Sequence, residues 1–348
     1  VASSNSPIEW TDKTWNPTRG CRRISPGCQH CYAERVAYRF SGAGKPYEGL
    51  VRLGKGGPVW TGKGVLVPDA LDEPLGWRKA QMVFVNSMSD LFYEEFTEEQ
   101  IDMVWATMVL SPWHTYQVLT KRPERAARYL NDPGLYQRLL RQVDQVRRDR
   151  PWRHGPDGAR LDEIGVSDPA RTPARNIWLL TSTENQASAD ERIPHLLRCP
   201  AAVRGVSYEP ALGPVDFGRF LEDWGSASSQ ARPGMSHGRV GWIIAGGESG
   251  PGARDCDLAW LRGAVAQGKA AGVPVFVKQL GARPGICWRR SAGPVPAAAI
   301  DAHLCAGGSE PEDEWDPLTL NNPKGGDMAE WPADLQVREF PQVGVSRG

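Results

Sequence analysis

The chain predicts a parallel α/β fold, a complete or partial (β/α) barrel with loop insertions and a C-terminal tail. Three observations carry that expectation. Short, nearly continuous apolar runs recur along the chain, as strands buried on both faces require. Amphipathic segments such as 98–110 and 260–271 separate them and suit crossover helices. Each run ends in small, acidic or amide side chains, at the position where a barrel gathers its active-site loops.

Taken in order, Ile8 to Asp12 leads into Thr14-Trp15-Asn16, the first predicted strand, which delivers a cysteine-rich loop. Residues 44–64 are rich in glycine, with Lys55 and Lys63 among them. They lack the G-x4-G-K-[ST] spacing of a phosphate-gripping loop and read as a flexible connection. Six further strands are predicted at Met82–Asn86, Tyr116–Thr120, Ile177–Thr181, Ala202–Ser207, Gly241–Ala245 and Val273–Val277, making seven βα units. Asn86 to Asp90, Thr120 to Pro123, Thr181 to Asn185, Ser207 to Pro210, Gly246 to Gly250 and Lys278-Gln279 follow them and offer hydrogen-bonding groups to one mouth. Two stretches read as insertions. Residues 138–160 mix arginines with Trp152 and His154, which fits either a nucleic-acid backbone or a solvated helix face. Residues 222–239 are Ser- and Gly-rich and read as a loop. The barrel is thus expected over 1–290, and 291–348 as a tail packed on it.

Composition bounds the function. Lys plus Arg and Asp plus Glu both number 41, so the formal net charge is zero and any nucleic-acid contact must come from a local patch. With no apolar run of membrane-spanning length and no apolar leader core, the chain is expected to be soluble, cytoplasmic and free of membrane partners. Seven cysteines, an odd count with three crowded together, do not resemble a disulfide framework. Cys199, Cys256, Cys287 and Cys305 are scattered and read as incidental.

The crowded three, Cys21, Cys28 and Cys31, are spaced C-x6-C-x2-C. A structural zinc site closes with four ligands, whereas three thiolates on a four-iron cluster leave one iron open for a small molecule. Gly20, Pro26 and Gly27 let the loop bend and present backbone N–H groups. Tyr32, Val36 and Phe40 begin a helical period, so the loop runs into a helix N-terminus, where anions are favoured.

Glu9-Trp10-Thr11-Asp12, Thr14-Trp15-Asn16-Pro17, the three cysteines, Gly246-Gly247-Glu248-Ser249-Gly250 and the segment Lys324 to Pro332 resemble a phage-associated family of three-cysteine proteins of unknown function. That family in turn resembles an outlying branch of the radical S-adenosylmethionine enzymes, with spore photoproduct lyase, a DNA repair enzyme, as a relative. The superfamily's commoner spacing is C-x3-C-x2-C; here the first gap is wider by three residues, which a loop holding glycine and proline can absorb. The resemblance implies a [4Fe-4S] cluster on Cys21, Cys28 and Cys31, S-adenosylmethionine as cofactor, and an electron donor such as flavodoxin or ferredoxin. It places His30 against adenine, and Tyr32, Ser87, Ser89, Asp90, Thr183 and Glu248 around the cofactor. Glu184 and Glu209 would be catalytic. DNA would be met by Arg22, Arg23, Lys121, Arg122, Arg147, Arg148 and Trp152. The implied activity is that of a lyase repairing ultraviolet-induced thymine dimers. Light-driven electron transfer to the lesion, base modification in phage or host defence, and a non-catalytic zinc protein that binds nucleic acid are the alternatives.

Overall fold

The computed structural model describes residues 6, 8–149, 175–222, 238–287 and 315–342. Seven strands form one sheet in chain order: β1 (Lys13–Trp15), β2 (Met82–Val85), β3 (Thr115–Thr120), β4 (Ile177–Thr183), β5 (Val203–Tyr208), β6 (Trp242–Gly246) and β7 (Val275–Gln279). Every neighbouring pair is parallel. β1 and β7 do not pair, so the sheet curls into a partial parallel barrel instead of closing. Each strand falls on one of the seven predicted runs.

Strand alternation sorts the side chains into two cores. Ile177 and Leu179 of β4 join the large cluster shared with the helices, while Trp178 and Leu180 point to the concave face. The concave face is floored by rings: Trp242 lies 6.2 Å from Trp10, 5.7 Å from Trp178 and 6.5 Å from Phe276, centroid to centroid. A packed interior of this kind is a core, not a pore.

The outer layer comprises α2 (Glu98–Leu110), α3 (Pro123–Leu130), α4 (Leu135–Asp149), α5 (Gln186–Leu197), the short α6 (Gly218–Leu221) and α7 (Leu258–Ala270). Thr97 and Gln100 close α2 with a reciprocal capping box, and Asn185 with Ser188 does the same for α5. α2 is apolar almost all round because α4 covers it from outside, with Val143 packed on Ala106 and Leu110.

Two segments depart from or extend the expectation. Residues 44–64 contain a β-hairpin, Val51–Gly54 with Gly57–Trp60, in place of a flexible loop. Its turn is Lys55-Gly56, Gly57 takes φ +113°, and Val51 and Trp60 pack against Ala33 and Ala37 of α1 (Tyr32–Arg39). In the tail, the Val277 N–H donates to the Val337 carbonyl at 2.8 Å, and the Glu339 N–H to the Val275 carbonyl at 2.9 Å. These residues run antiparallel along the free edge of β7, and Phe340 reaches Trp242 on the concave face. Trp152, the Ser- and Gly-rich 223–237, Cys305 and the tail's first part lie outside the described residues.

Candidate cysteine-loop site at the barrel mouth

Residues 20–31 cross the C-terminal ends of the strands, and side-chain ties from residues after β3, β4 and β6 fix them there. After β2, Asp90 accepts from the Thr120 hydroxyl at 2.7 Å, from the Lys121 N–H at 2.9 Å and from Arg122 Nη1 at 3.0 Å. Arg122, itself buried, also pairs with Glu94 and donates to the Arg22 carbonyl at 3.3 Å. After β4, Glu184 accepts from Ser25 Oγ at 2.7 Å and from Arg192 at 3.0 Å, and Lys121 Nζ lies 3.5 Å away. After β6, Glu248 contacts His30 Nδ1 at 3.0 Å and accepts two side-chain bonds from Arg254, whose Nη1 donates onward to the Pro26 carbonyl at 3.0 Å.

Glycine makes the close approaches possible. A Cβ on Gly27 would lie 2.3 Å from Glu184 Oε1, and one on Gly247 would lie 2.2 Å from the Leu280 carbonyl oxygen. The second contact explains the double glycine before Glu248: the β6 turn presses on the backbone after β7, where the register shifts at Gly246.

The electrostatics follow from burial and pairing. Burial alone would raise the Glu184 carboxyl, but Lys121, Arg192 and the hydroxyls of Ser25 and Ser188 outweigh it and hold it below its usual value. Glu248 behaves likewise, with burial opposed by bonds from Arg254 and His30. The thiols go the other way. Burial pushes Cys21 up to about 12, Asp90 and Cys31 adding and Arg122 opposing, and burial also raises Cys31, with Glu34 and Cys28 adding. At Cys21 and Cys31, therefore, a proton or a bound cation must neutralise thiolate charge. Among the described residues, no three His, Cys, Asp or Glu side chains converge to hold a single metal ion.

The expected residues sort by position. His30, Tyr32, Glu184, Glu209 and Glu248 gather at the mouth with the cysteines; Tyr32 donates to the Ser87 carbonyl at 2.7 Å, and Glu209 accepts from Lys278 Nζ at 2.7 Å and Gln279 at 3.2 Å. Ser87 donates to Asn16 at 3.1 Å, Ser89 lies 2.6 Å from the Thr18 hydroxyl, and Asp90 binds Arg122, so all three hold the loop's approach. Thr183 shares the helix-facing side of β4 with Ile177 and Leu179 and does not line the mouth. Arg22 and Arg23 are exposed at the loop, with Arg23 paired to Glu34. Arg122 and Lys121 are bound to carboxylates. Arg147 and Arg148 sit on α4 in the outer layer, Arg147 paired with Asp144, because α4 packs on α2 rather than at the mouth. Ser25, Asn16, Arg192 and Arg254 are ties that the sequence did not single out. Only the Arg254 position, six residues after Glu248, carried a local hint.

A cleft of about 740 Å³ adjoins the loop on its outer side, where Pro26 and Arg254 meet Asn185, Trp260 and Arg283.

Fold and site together define a partial parallel α/β barrel with a three-cysteine loop clasped across its mouth. The chain belongs to the family described as "Protein of unknown function (DUF5131)", which matches residues 5–295. No curated protein and no solved structure matches it. No helix among the described residues is long and apolar enough to cross a membrane.

Proposed function

We propose that this chain is an iron-sulfur enzyme of the radical S-adenosylmethionine type acting on nucleic acid, and that its reaction is the repair of thymine dimers in ultraviolet-damaged DNA. The observation carrying this reading is the placement of Cys21, Cys28 and Cys31 on one loop that four side-chain bonds from three strand ends hold over the barrel mouth. The donor set fits a three-thiolate cluster. Among the described residues Cys199, Cys256 and Cys287 are buried, and His30 is engaged by Glu248. Cys21, Cys28 and Cys31 would hold the [4Fe-4S] cluster, which when bound supplies the electron used on S-adenosylmethionine.

The chain's own residues provide geometry. Glu184 and Glu248, kept ionised by their cations, anchor the loop and are not poised to donate protons. Glu209 is the mouth carboxylate whose partners, Lys278 and Gln279, lie away from the loop ties, which leaves it to meet substrate. A lesion would have to leave the base stack to reach the mouth, a smaller cost where stacking is already disturbed.

Anaerobic purification with iron and sulfide analysis, then electron paramagnetic resonance of the reduced protein with and without S-adenosylmethionine, tests the proposal. A four-iron signal that changes on addition is expected, followed by loss of dimers from irradiated DNA in the dark. One zinc and no iron would overturn it. Cys28→Ala should lose both iron and turnover.

A further inference from the structure

The formal charge of the chain is zero, but it is unevenly placed. Residues 18–65 hold nine Lys and Arg against two carboxylates, Glu34 and Glu48. Glu34 is buried and already paired with Arg23. Arg22, Arg39, Lys45, Arg52, Lys55 and Lys63 are exposed and have no ion-pair partner among the described residues.

The same segment carries the exposed rings. Among the described residues the large apolar side chains left exposed are Ile24, Tyr32, Tyr38, Phe40, Leu53 and Val65, all within residues 24–65. Helical spacing arranges them. Ala33, Glu34 and Ala37 of α1 are buried toward the hairpin and its core, which leaves Tyr32, Arg35, Tyr38 and Arg39 along one outer face. Rings and cations alternate on that face over about 10 Å, room for two or three stacked nucleotides at about 3.4 Å each. Tyr32, at its inner end, is tied to Ser87 at the mouth.

We propose that this face of α1, with the adjoining hairpin, is the docking track for single-stranded nucleic acid leading to the cysteine loop. Backbone phosphates would meet the cations, and bases would stack on Tyr38 and Phe40, a contact open to any base because each has a π-face. The charge and the rings stand by themselves; naming the polyanion nucleic acid rests on the reading of the chain as a nucleic-acid enzyme. The track replaces α4 as the basic surface, because Arg138 there is bound to Asp102 and Asp132 and Arg147 to Asp144.

The test is fluorescence anisotropy of a labelled oligothymidylate with the full chain across a salt series. Arg39→Gln/Lys45→Gln/Arg52→Gln should lower the slope of log affinity against log salt by about 2, at ~0.7 per lost contact. Tyr38→Ala should weaken binding about fivefold or more. These side chains are exposed, so the unfolding midpoints should not move. Arg141→Gln/Arg147→Gln/Arg148→Gln should bind as wild type. The cluster-deficient Cys28→Ser protein should also bind as wild type, which separates this interface from the iron chemistry: failure of either leaves the other standing. Wild-type binding by both track variants would overturn the track. So would loss of binding in Cys28→Ser, or a wild type that ignores the oligonucleotide yet binds flavodoxin or ferredoxin through these cations.

Discussion

The floor and the mouth of this barrel are built by the same strands, a few residues apart, on opposite chemistry. At the floor, alternation delivers Trp178, Trp242 and Phe276 to the concave face, with Trp10 and Phe340 entering from outside the sheet. Two to six residues further on, at or just past the strand ends, the chain delivers Glu184, Glu209, Glu248 and Lys278. The floor is held by contacts that need only shape and apolar area. The mouth is held by ion pairs that need specific partners on distant segments. Burial at the floor therefore stabilises the sheet itself, whereas the mouth charges chiefly fix where the cysteine loop lies.

That contrast can be broken from either side. The largest effect should come from Trp242→Ala, which empties a fully buried site ringed by four aromatic side chains and should cost about 3–5 kcal/mol in denaturant unfolding. Retention of the proposed cluster per folded molecule should not change; its specific loss would show that floor and mouth are coupled. Next is Glu184→Gln, which leaves Arg192 buried without its carboxylate. Breaking such a pair should cost roughly 3 kcal/mol, and here the loop should loosen as well, read as faster proteolysis within residues 20–31.

A pH series separates the two ends. At the end of the sheet away from the mouth, burial lowers His114 from 6.5 to about 4, so the unfolded chain takes up a proton the folded one refuses. Stability should fall as pH drops from about 6.5 to 4, by about 3 kcal/mol in all. The mouth responds later. Glu184 and Glu248 are held below 4.5, so their contribution is complete above that pH and is lost as pH falls through their folded values. His114→Phe should remove the first phase and leave the second; a single phase unaffected by the substitution would contradict the assignment. The smallest effect on stability should be that of Glu248→Gln, under about 1 kcal/mol, because His30 and Arg254 are each about a quarter exposed. Its consequence should appear in the position of the cysteine loop and in retention of the proposed cluster, through the lost ties to His30 and Arg254.

What the sequence by itself determined is the set of strands and the residues at their ends. All seven strands lie where the apolar runs predict, because a strand buried on both faces must be apolar at nearly every position, and such a run is visible locally. The three cysteines and the carboxylates at the mouth were legible for the same reason: composition and order along the chain carry them. Their partners were not. Nothing in the spacing of Ser25 and Glu184, or of Arg254 and Pro26, announces a bond across the mouth, since each tie joins segments more than 150 residues apart. Arg122 and Asp90 looked available for a ligand and are bound to each other. Thr183 looked like a mouth residue and faces the helices, because one step along a strand reverses the side chain. The alternating rings and cations on α1 emerged only once packing showed which side of the helix the hairpin covers. Tertiary structure decided which polar groups are already satisfied and which remain free, because a charge's partner is chosen by proximity in space and not by position in the chain.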